Sequence, residues 1–506
     1  MTHLIPQDSE RPKPTKAIVC AISASDSSAH AGHQCDLRVI QDLGTHGVSV
    51  VSGLTAQNSY QVSHIEITSP TSFTAQMVAL REDVKLQAIK TGLLLSAAQI
   101  QHVVMFTEHM DCPLIVDPVL SATSGTDFSS AEILDAYPQL IAAADLLTPN
   151  IPEAETLLQR TLQRDEDIIA AASALREMGC KAVLIKGGHR TSKNESHFIY
   201  DYYDDGEHSF WLRQPRLRSN NSRGTGCALA SAIASFVAQG KELRDAVVLA
   251  NAYVHQSLLA GFAVGRGKGL LEQCGWPQDF AHYPAVAPSI PQFNPPSFAS
   301  CDTLQLGLYP IVESLDSLQR LLQLGVNTVQ LRLKDSEAEV LAQQVSQAVS
   351  LGKRFHGRVF INDHWQLAIQ YGAYGVHLGQ EDLAQADLSA IQQNGLRLGL
   401  SSHSEYEWLR AASCKPSYIA MGSVFPTQTK NVHTIGLDNL WAWSRVLAPH
   451  FPLVAIGGIT LDNPTEVLHC GVGSAAVVSA LRSDQPLESV VRHWQQGFEA
   501  HAKATC

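Results

Sequence analysis

From residue 304 onward, short apolar runs recur with a regular beat: LQLGLY (304–309), TVQLRL (328–333), RVFIN (358–362), YGVHL (374–378), LRLGLS (396–401), YIAMG (418–422), PLVAIG (452–457) and SAAVVS (474–479). Segments of helical spacing separate most of them, such as Leu315 to Leu324 and Glu337 to Leu351. Continuous apolar runs alternating with helices predict parallel strands buried on both faces. Eight such runs predict a closed (β/α)8 barrel of the TIM type, with an open doubly wound sheet as the alternative.

The N-terminal half also alternates. Strand-like runs are AIVCAI (17–22), VSVVSGL (48–54), LQAIKTG (86–92), PLIVDP (113–118) and KAVLIKG (181–187). HFIYDYY (197–203) and HSFWLR (208–213) read as a hairpin around Asp204-Asp205-Gly206, and two long helical patterns follow from Thr225. This predicts an α/β sandwich with a mostly parallel sheet. Between the halves lies YPAVAPSIPQFNPPSFASCD (283–302), with several prolines, few charges and no helical period, the mark of an extended spacer. The expected organisation is a disordered tail over 1–16, an α/β domain over 17–282, the spacer, and a barrel over 303–506.

Composition narrows the function classes. A chain of 506 residues with 45% hydrophobic and 17% charged residues has ample material for two cores. A formal net charge of −12 argues against a nucleic-acid or anionic-membrane binder, which needs a basic surface. No run approaches the roughly 20 apolar residues of a membrane span. The ten cysteines form no CxxC pair and read as free thiols, with the cytoplasm as the expected compartment. The sequence leaves homo-oligomerisation open.

A barrel of this kind gathers its site from the C-terminal ends of its strands. The second ends in QLRLKD, with Gln330, Arg332 and Lys334 alternating on one side. The third ends in Asn362-Asp363, the fourth runs to Asp382, and the fifth ends in Ser401. The sixth runs into VFPTQTK, with Thr427, Thr429 and Lys430. The seventh and eighth end in Gly457-Gly458 and Val478-Ser479. One charged strand end is ordinarily a solvated surface group. Acids at two adjacent ends, facing cations and hydroxyls at the others, form a Mg²⁺–diphosphate constellation.

Together GLYPIV, QLRLKD, FINDHWQLAI, YGVHLGQEDL, PSYIAMGSVFPTQTK, AIGGIT and GVGSAAVVSA resemble thiamine-phosphate synthase, over about residues 305–495. The resemblance implies condensation of 4-amino-2-methyl-5-(diphosphooxymethyl)pyrimidine with a thiazole phosphate, carboxylated or not, releasing diphosphate. It implies that Gln330, Arg332, Lys334, Asn362, Ser401 and Lys430 bind the pyrimidine diphosphate, with Lys334 and Lys430 catalytic. Thr427, Thr429, Gly458, Val478 and Ser479 would bind the thiazole phosphate, and Asp363 and Asp382 the Mg²⁺.

In the N-terminal half, RGTGCALASAIASFVAQG opens a helix with Gly224-Thr225-Gly226. Amides at a helix start make an anion hole, and a cysteine in the first turn, Cys227, is expected to have a lowered pKa. Asp117 ends a strand in DPV. Asn150 and Glu153 in TPNIPEAE suit Mg²⁺–phosphate, Lys186 precedes two glycines in KGGH, and Gln57 lies beside a strand end in TAQN.

This ordered set resembles hydroxymethylpyrimidine and phosphomethylpyrimidine kinases of the ribokinase-like fold, over about residues 17–272. The resemblance implies ATP as co-substrate, with Asp36 and Gln57 on the pyrimidine and Gly224, Thr225 and Gly226 on the transferring phosphoryl. It puts Cys227 in the place of the catalytic base, Asn150 and Glu153 beside Mg²⁺, and Lys186 near the nucleotide phosphates. Two features depart from the family pattern. The first loop reads SDSSAHAG (25–32), with Ala29 and His30 where two glycines are usual, and Arg223 stands where His usually precedes Gly-Thr-Gly-Cys. Ala and His restrict close approach and positive φ. The alternative expectation is therefore a non-catalytic pyrimidine-binding or assembly module; a pyridoxal-type kinase is a more distant one.

Overall fold

The computed structural model describes residues 16–505 apart from 122–124, 189–196, 335–336, 428–432 and 483–485. Nearly all of the expected tail, 1–16, lies outside the described residues, as do Thr429 and Lys430.

The chain divides into two units, Met1–Pro277 with Ala281–Ile290, and Gln278–Phe280 with Pro291–Cys506. The first is built on a ten-stranded sheet: β1 (Ile18–Asp26), β2 (His46–Gln57), β3 (Val62–Ile67), β4 (Ala88–Thr91), β5 (Leu114–Val116), β6 (Leu146–Leu147), β7 (Ala182–Ile185), β8 (Phe198–Asp204), β9 (Ser209–Pro215) and β10 (Ala285–Ala287). Their order is β10-β9-β8-β7-β6-β5-β4-β1-β2-β3. Strands β2 to β7 of this order pair in parallel, and the pairs at both edges are antiparallel. This is the mostly parallel α/β sandwich that the alternating pattern predicts. The central strands β1, β4, β5 and β7 are almost wholly buried, as a sheet covered on both faces requires. The expected hairpin forms, with Asp204 opposite Ser209 and Gly206 at φ 86° in the turn.

The proline-rich segment is not a free spacer. Residues 285–287 pair with β9 and extend the first sheet. Further on, Lys415 Nζ donates to Pro295 O, Ser417 Oγ donates to Ala299 O, and Cys301 is buried in the barrel core. Prolines removed the helical signal, and the short extended pieces between them found partners that spacing along the chain cannot reveal.

The second unit is a closed barrel of eight parallel strands: β11 (Gly307–Val312), β12 (Thr328–Leu331), β13 (Arg358–Asn362), β14 (Gly375–Leu378), β15 (Arg397–Ser402), β16 (Tyr418–Met421), β17 (Leu453–Ile456) and β18 (Ser474–Val477), closed by β11 against β18. Only β11 is displaced from its expected position, beginning three residues later than LQLGLY. Helices flank the strands where the apolar spacing placed them. Leu315–Gln323 is capped by Ser314 and buries Leu318, Leu321 and Leu322 on one side. Tyr309, Phe360 and Tyr418 fill the barrel interior, with Phe360 edge-on to Tyr418 at 5.2 Å between ring centroids. Because all eight strands run the same way, their C-terminal ends share one rim.

Candidate active sites

At that rim lies a cavity of about 190 Å³. Gln330 and Arg332 reach it from the end of β12, Asn362 and Asp363 from the end of β13, and Asp382 and Ser401 from beyond β14 and from β15. Thr427, Gly458, Val478 and Ser479 complete the far wall. Ten of the expected barrel residues therefore meet in one place. Lys334 does not: it is exposed and is not part of the cavity lining. Gly458 is held at φ 63°, where a Cβ would lie 2.6 Å from Phe425 Cβ, so only glycine lets the loop after β17 pass under residues 425–426.

The two acids face each other. Burial, and then the Asp382 carboxylate, push the Asp363 carboxyl up to about 6. Asp363 sits at φ 62° with its N–H donating to His377 O, a left-handed conformation uncommon outside glycine. An acid pair that resists double ionisation is the donor set a hard divalent cation relieves. No group of three or more His, Cys, Asp and Glu residues suited to a metal occurs among the described residues. The two carboxylates suit an ion such as Mg²⁺ that takes a few carboxylates and completes its shell with phosphate oxygens and water.

The first unit holds a larger cavity, of about 540 Å³. Gln57 lines one end. Gly224, Thr225, Gly226 and Cys227 line the start of the helix Thr225–Ala238, and Asn150, Glu153 and Lys186 stand opposite. Lys186 Nζ is 2.8 Å from Asp117 Oδ1 and 4.0 Å from Glu153 Oε2. Asn150 and Glu153 form a reciprocal capping box, which fixes both side chains at a helix start. Burial raises Glu153 to about 7, opposed by Lys186. A Cβ on Gly226 would lie 3.3 Å from Lys186 Nζ, and one on Gly224, at φ 79°, would lie 2.3 Å from His30 O. Gly224 thus lets the helix start approach the His30 backbone, and Gly226 leaves room beside Lys186.

Two expectations for this domain need correction. Asp36 does not line the cavity. It is fully buried, accepting hydrogen bonds from Lys90 Nζ at 2.8 Å and Ser231 Oγ at 2.9 Å, so it braces the core beneath the site. Cys227 is not an activated thiolate. Burial pushes its pKa up to about 11, and the nearby Lys90 only partly opposes this. Alkylation of Cys227 by iodoacetamide should accordingly keep accelerating from pH 7 to above pH 9. A plateau near neutrality, read by mass spectrometry of the labelled peptide, would mean that the thiol is ionised instead.

Asp26 was visible in SDSSAHAG but carried no assigned role. Its carboxylate accepts from Ser28 N–H, Ser28 Oγ, His30 N–H, Ala31 N–H and Gln57 Nε2, at 2.7–3.2 Å. It therefore organises the first loop and orients Gln57. The signal was its place at the end of β1, as with the barrel acids. Ala29 adopts φ 56° despite its Cβ, at a cost of roughly 1–2 kcal/mol. The His30 ring folds back onto Ser28, with Nδ1 2.8 Å from Ser28 Oγ. The turn thus persists without the two glycines. Arg223 is buried and ties the Gly-Thr-Gly loop to Asn58 O.

Family models agree with this division. One described as phosphomethylpyrimidine kinase matches residues 26–272, and one described as thiamine monophosphate synthase matches residues 308–481. The chloroplastic thiamine biosynthetic bifunctional enzyme TH1 of Arabidopsis thaliana is 32% identical over 482 residues, covering 92% of this chain and 89% of the relative. Thiamine-phosphate synthase of Yersinia pestis (strain Pestoides F) is 53% identical over 188 residues, 37% of this chain and 86% of the relative. Among solved structures, a Staphylococcus aureus pyridoxal kinase in complex with pyridoxal aligns at 27% identity with a TM-score of 0.48, covering 54% of this chain and 98% of its own.

Proposed function

Because the chain belongs to the family of bifunctional thiamine biosynthetic enzymes that join a phosphomethylpyrimidine kinase to a thiamine-phosphate synthase, we propose that its two cavities are the two active sites and that they act in turn on one pyrimidine. The observation that carries this reading is the gathering of residues from separate strand ends into one cavity in each unit.

In the first unit the pyrimidine hydroxymethyl group lies at the Asp26–Gln57 end. ATP phosphates lie along the amides of Gly224 to Cys227, with Lys186 beside them. Phosphoryl transfer is a loose reaction in which positioning and charge stabilisation dominate, so a strong protein base is not required. Cys227 with its proton in place serves as a donor at the helix start. Asn150 and Glu153 are the groups suited to hold Mg²⁺ with the nucleotide.

In the barrel, Arg332 offers a fork to the diphosphate of the pyrimidine substrate. The bond between the methylene carbon and the diphosphate oxygen breaks, and the electron pair leaves with diphosphate. The electron-rich aminopyrimidine supports the cation, and the thiazole nitrogen attacks the carbon. Mg²⁺ held by Asp363 and Asp382 would supply Lewis-acid neutralisation of the departing diphosphate. Thr427, Gly458, Val478 and Ser479 hold the thiazole phosphate so that its nitrogen is in line, and no protein nucleophile is needed.

The kinase half is tested by ³¹P NMR of the full chain with ATP and either the hydroxymethylpyrimidine or its monophosphate. Conversion of both to the next phosphorylated form is expected. Absence of transfer to either, with measurable pyrimidine binding, would favour the non-catalytic module.

A further inference from the structure

A continuous chain of hydrogen bonds crosses the barrel interior beneath the cavity, through residues of five strands. Gln330 Nε2 is 3.3 Å from Tyr309 Oη, and Tyr309 Oη is 2.8 Å from Tyr418 Oη. Tyr418 Oη is 2.7 Å from His377 Nδ1, and His377 Nε2 is 2.9 Å from Ser401 Oγ. Both ends, Gln330 and Ser401, line the cavity, while the two phenols are 1% and 0% exposed. The sequence makes room for the centre of the chain: a Cβ on Gly399 would lie 2.1 Å from Tyr418 Cζ.

A phenol or a neutral imidazole has one proton to give, so a chain in which each of these buried protons is used runs in a single sense. Gln330 Nε2 donating to Tyr309 sets that sense for every other link. Tyr309 then donates to Tyr418, and Tyr418 to His377 Nδ1. His377 carries its proton on Nε2 and gives it to Ser401. The carbonyl oxygen of Gln330, whose Nε2 is turned to Tyr309, and the hydroxyl proton of Ser401 are then available to the cavity. Reversing the sense presents an amide N–H from Gln330 and a lone pair from Ser401. While the chain is intact, neither end can be reset without the other.

We infer that Tyr309, Tyr418 and His377 are specificity-determining positioning residues: they lock Gln330 as acceptor and Ser401 as donor, and so select a pyrimidine edge with an amino donor beside a ring-nitrogen acceptor. The 4-oxo edge presents an oxygen acceptor beside a ring N–H, the reverse pattern, and is refused. This inference rests on the reading of the barrel as the site of the aminopyrimidine diphosphate. A mismatched pair of buried hydrogen bonds is a strong basis for discrimination, because it leaves polar groups unpaired.

The test uses the full chain with thiazole phosphate and two probes, 4-amino-2-methyl-5-(diphosphooxymethyl)pyrimidine and its 4-oxo analogue. Tyr418→Phe keeps the ring and cuts the chain at its centre, freeing both ends to reorient. The ratio of kcat/KM for the amino over the oxo probe should fall at least about tenfold. Tyr309→Phe, which releases Gln330 alone, should lower the same ratio and serves if the first variant does not fold. An equal loss on both probes, or an unchanged ratio, in folded variants would overturn the inference and leave the synthase assignment standing. Failure of the unaltered chain to couple the amino probe would overturn both.

Discussion

Replacing Asp363 by Asn should lower thiamine-phosphate formation by about 10²–10³-fold, the scale of losing cation-assisted charge neutralisation. The side chain keeps its size, so the loss is one of charge. The sign of the stability effect is the opposite. Burial and Asp382 hold the Asp363 pKa above its ordinary value, at about 6. The stability this gives is present in acid and is lost as the pH rises through 6. The wild-type barrel should thus be less stable at pH 8 than at pH 5 without a divalent cation, and Mg²⁺ should restore more at pH 8. Asp363→Asn should flatten both dependences. Thermal melts at the two pH values with and without Mg²⁺, beside steady-state coupling rates, check this. A folded variant within tenfold of wild-type activity would remove the acid pair from the mechanism.

Lys186→Met should abolish pyrimidine phosphorylation, by at least about 10²-fold, while coupling from supplied pyrimidine diphosphate stays at the wild-type rate. Lys186 is the cation that compensates Asp117 and Glu153 in the first cavity. Removing it deprives the phosphates of a positive partner and leaves two buried carboxyls facing each other. Glu153, raised to about 7 by burial even with Lys186 present, should shift further up. ATP-dependent phosphate transfer and coupling, measured on the same preparation, separate the two effects. Loss of coupling in a folded variant would contradict two independent sites, and retained phosphorylation would remove Lys186 from the kinase.

The barrel was readable because its chemistry lies at strand ends, and buried parallel strands announce themselves as apolar runs. Once the runs are placed, the rim residues follow from chain order. Asp36 went wrong for the converse reason. It lies within the helix Gly32–Asp42, and its burial against Lys90 is set by a strand 54 residues away. The raised pKa of Cys227 depends on depth, which a first-turn position does not encode. The edge strands β3 and β10 and the two-residue β6 carry too little apolar repetition to be seen. The Tyr309–Tyr418–His377 chain was hidden because its members read singly as core aromatics and a core histidine. Only closure of the barrel brings β11, β14 and β16 across one interior.

One chain carries both the kinase and the synthase. Full-length protein incubated with hydroxymethylpyrimidine, ATP, Mg²⁺ and thiazole phosphate should form thiamine phosphate, detected by its thiochrome fluorescence, with diphosphate released in equal amount. Lys186→Met should block product from the alcohol but not from supplied pyrimidine diphosphate, and Asp363→Asn should block product from either. Thiamine phosphate formed only from supplied diphosphate by the unaltered chain would show that the first unit is not a pyrimidine kinase.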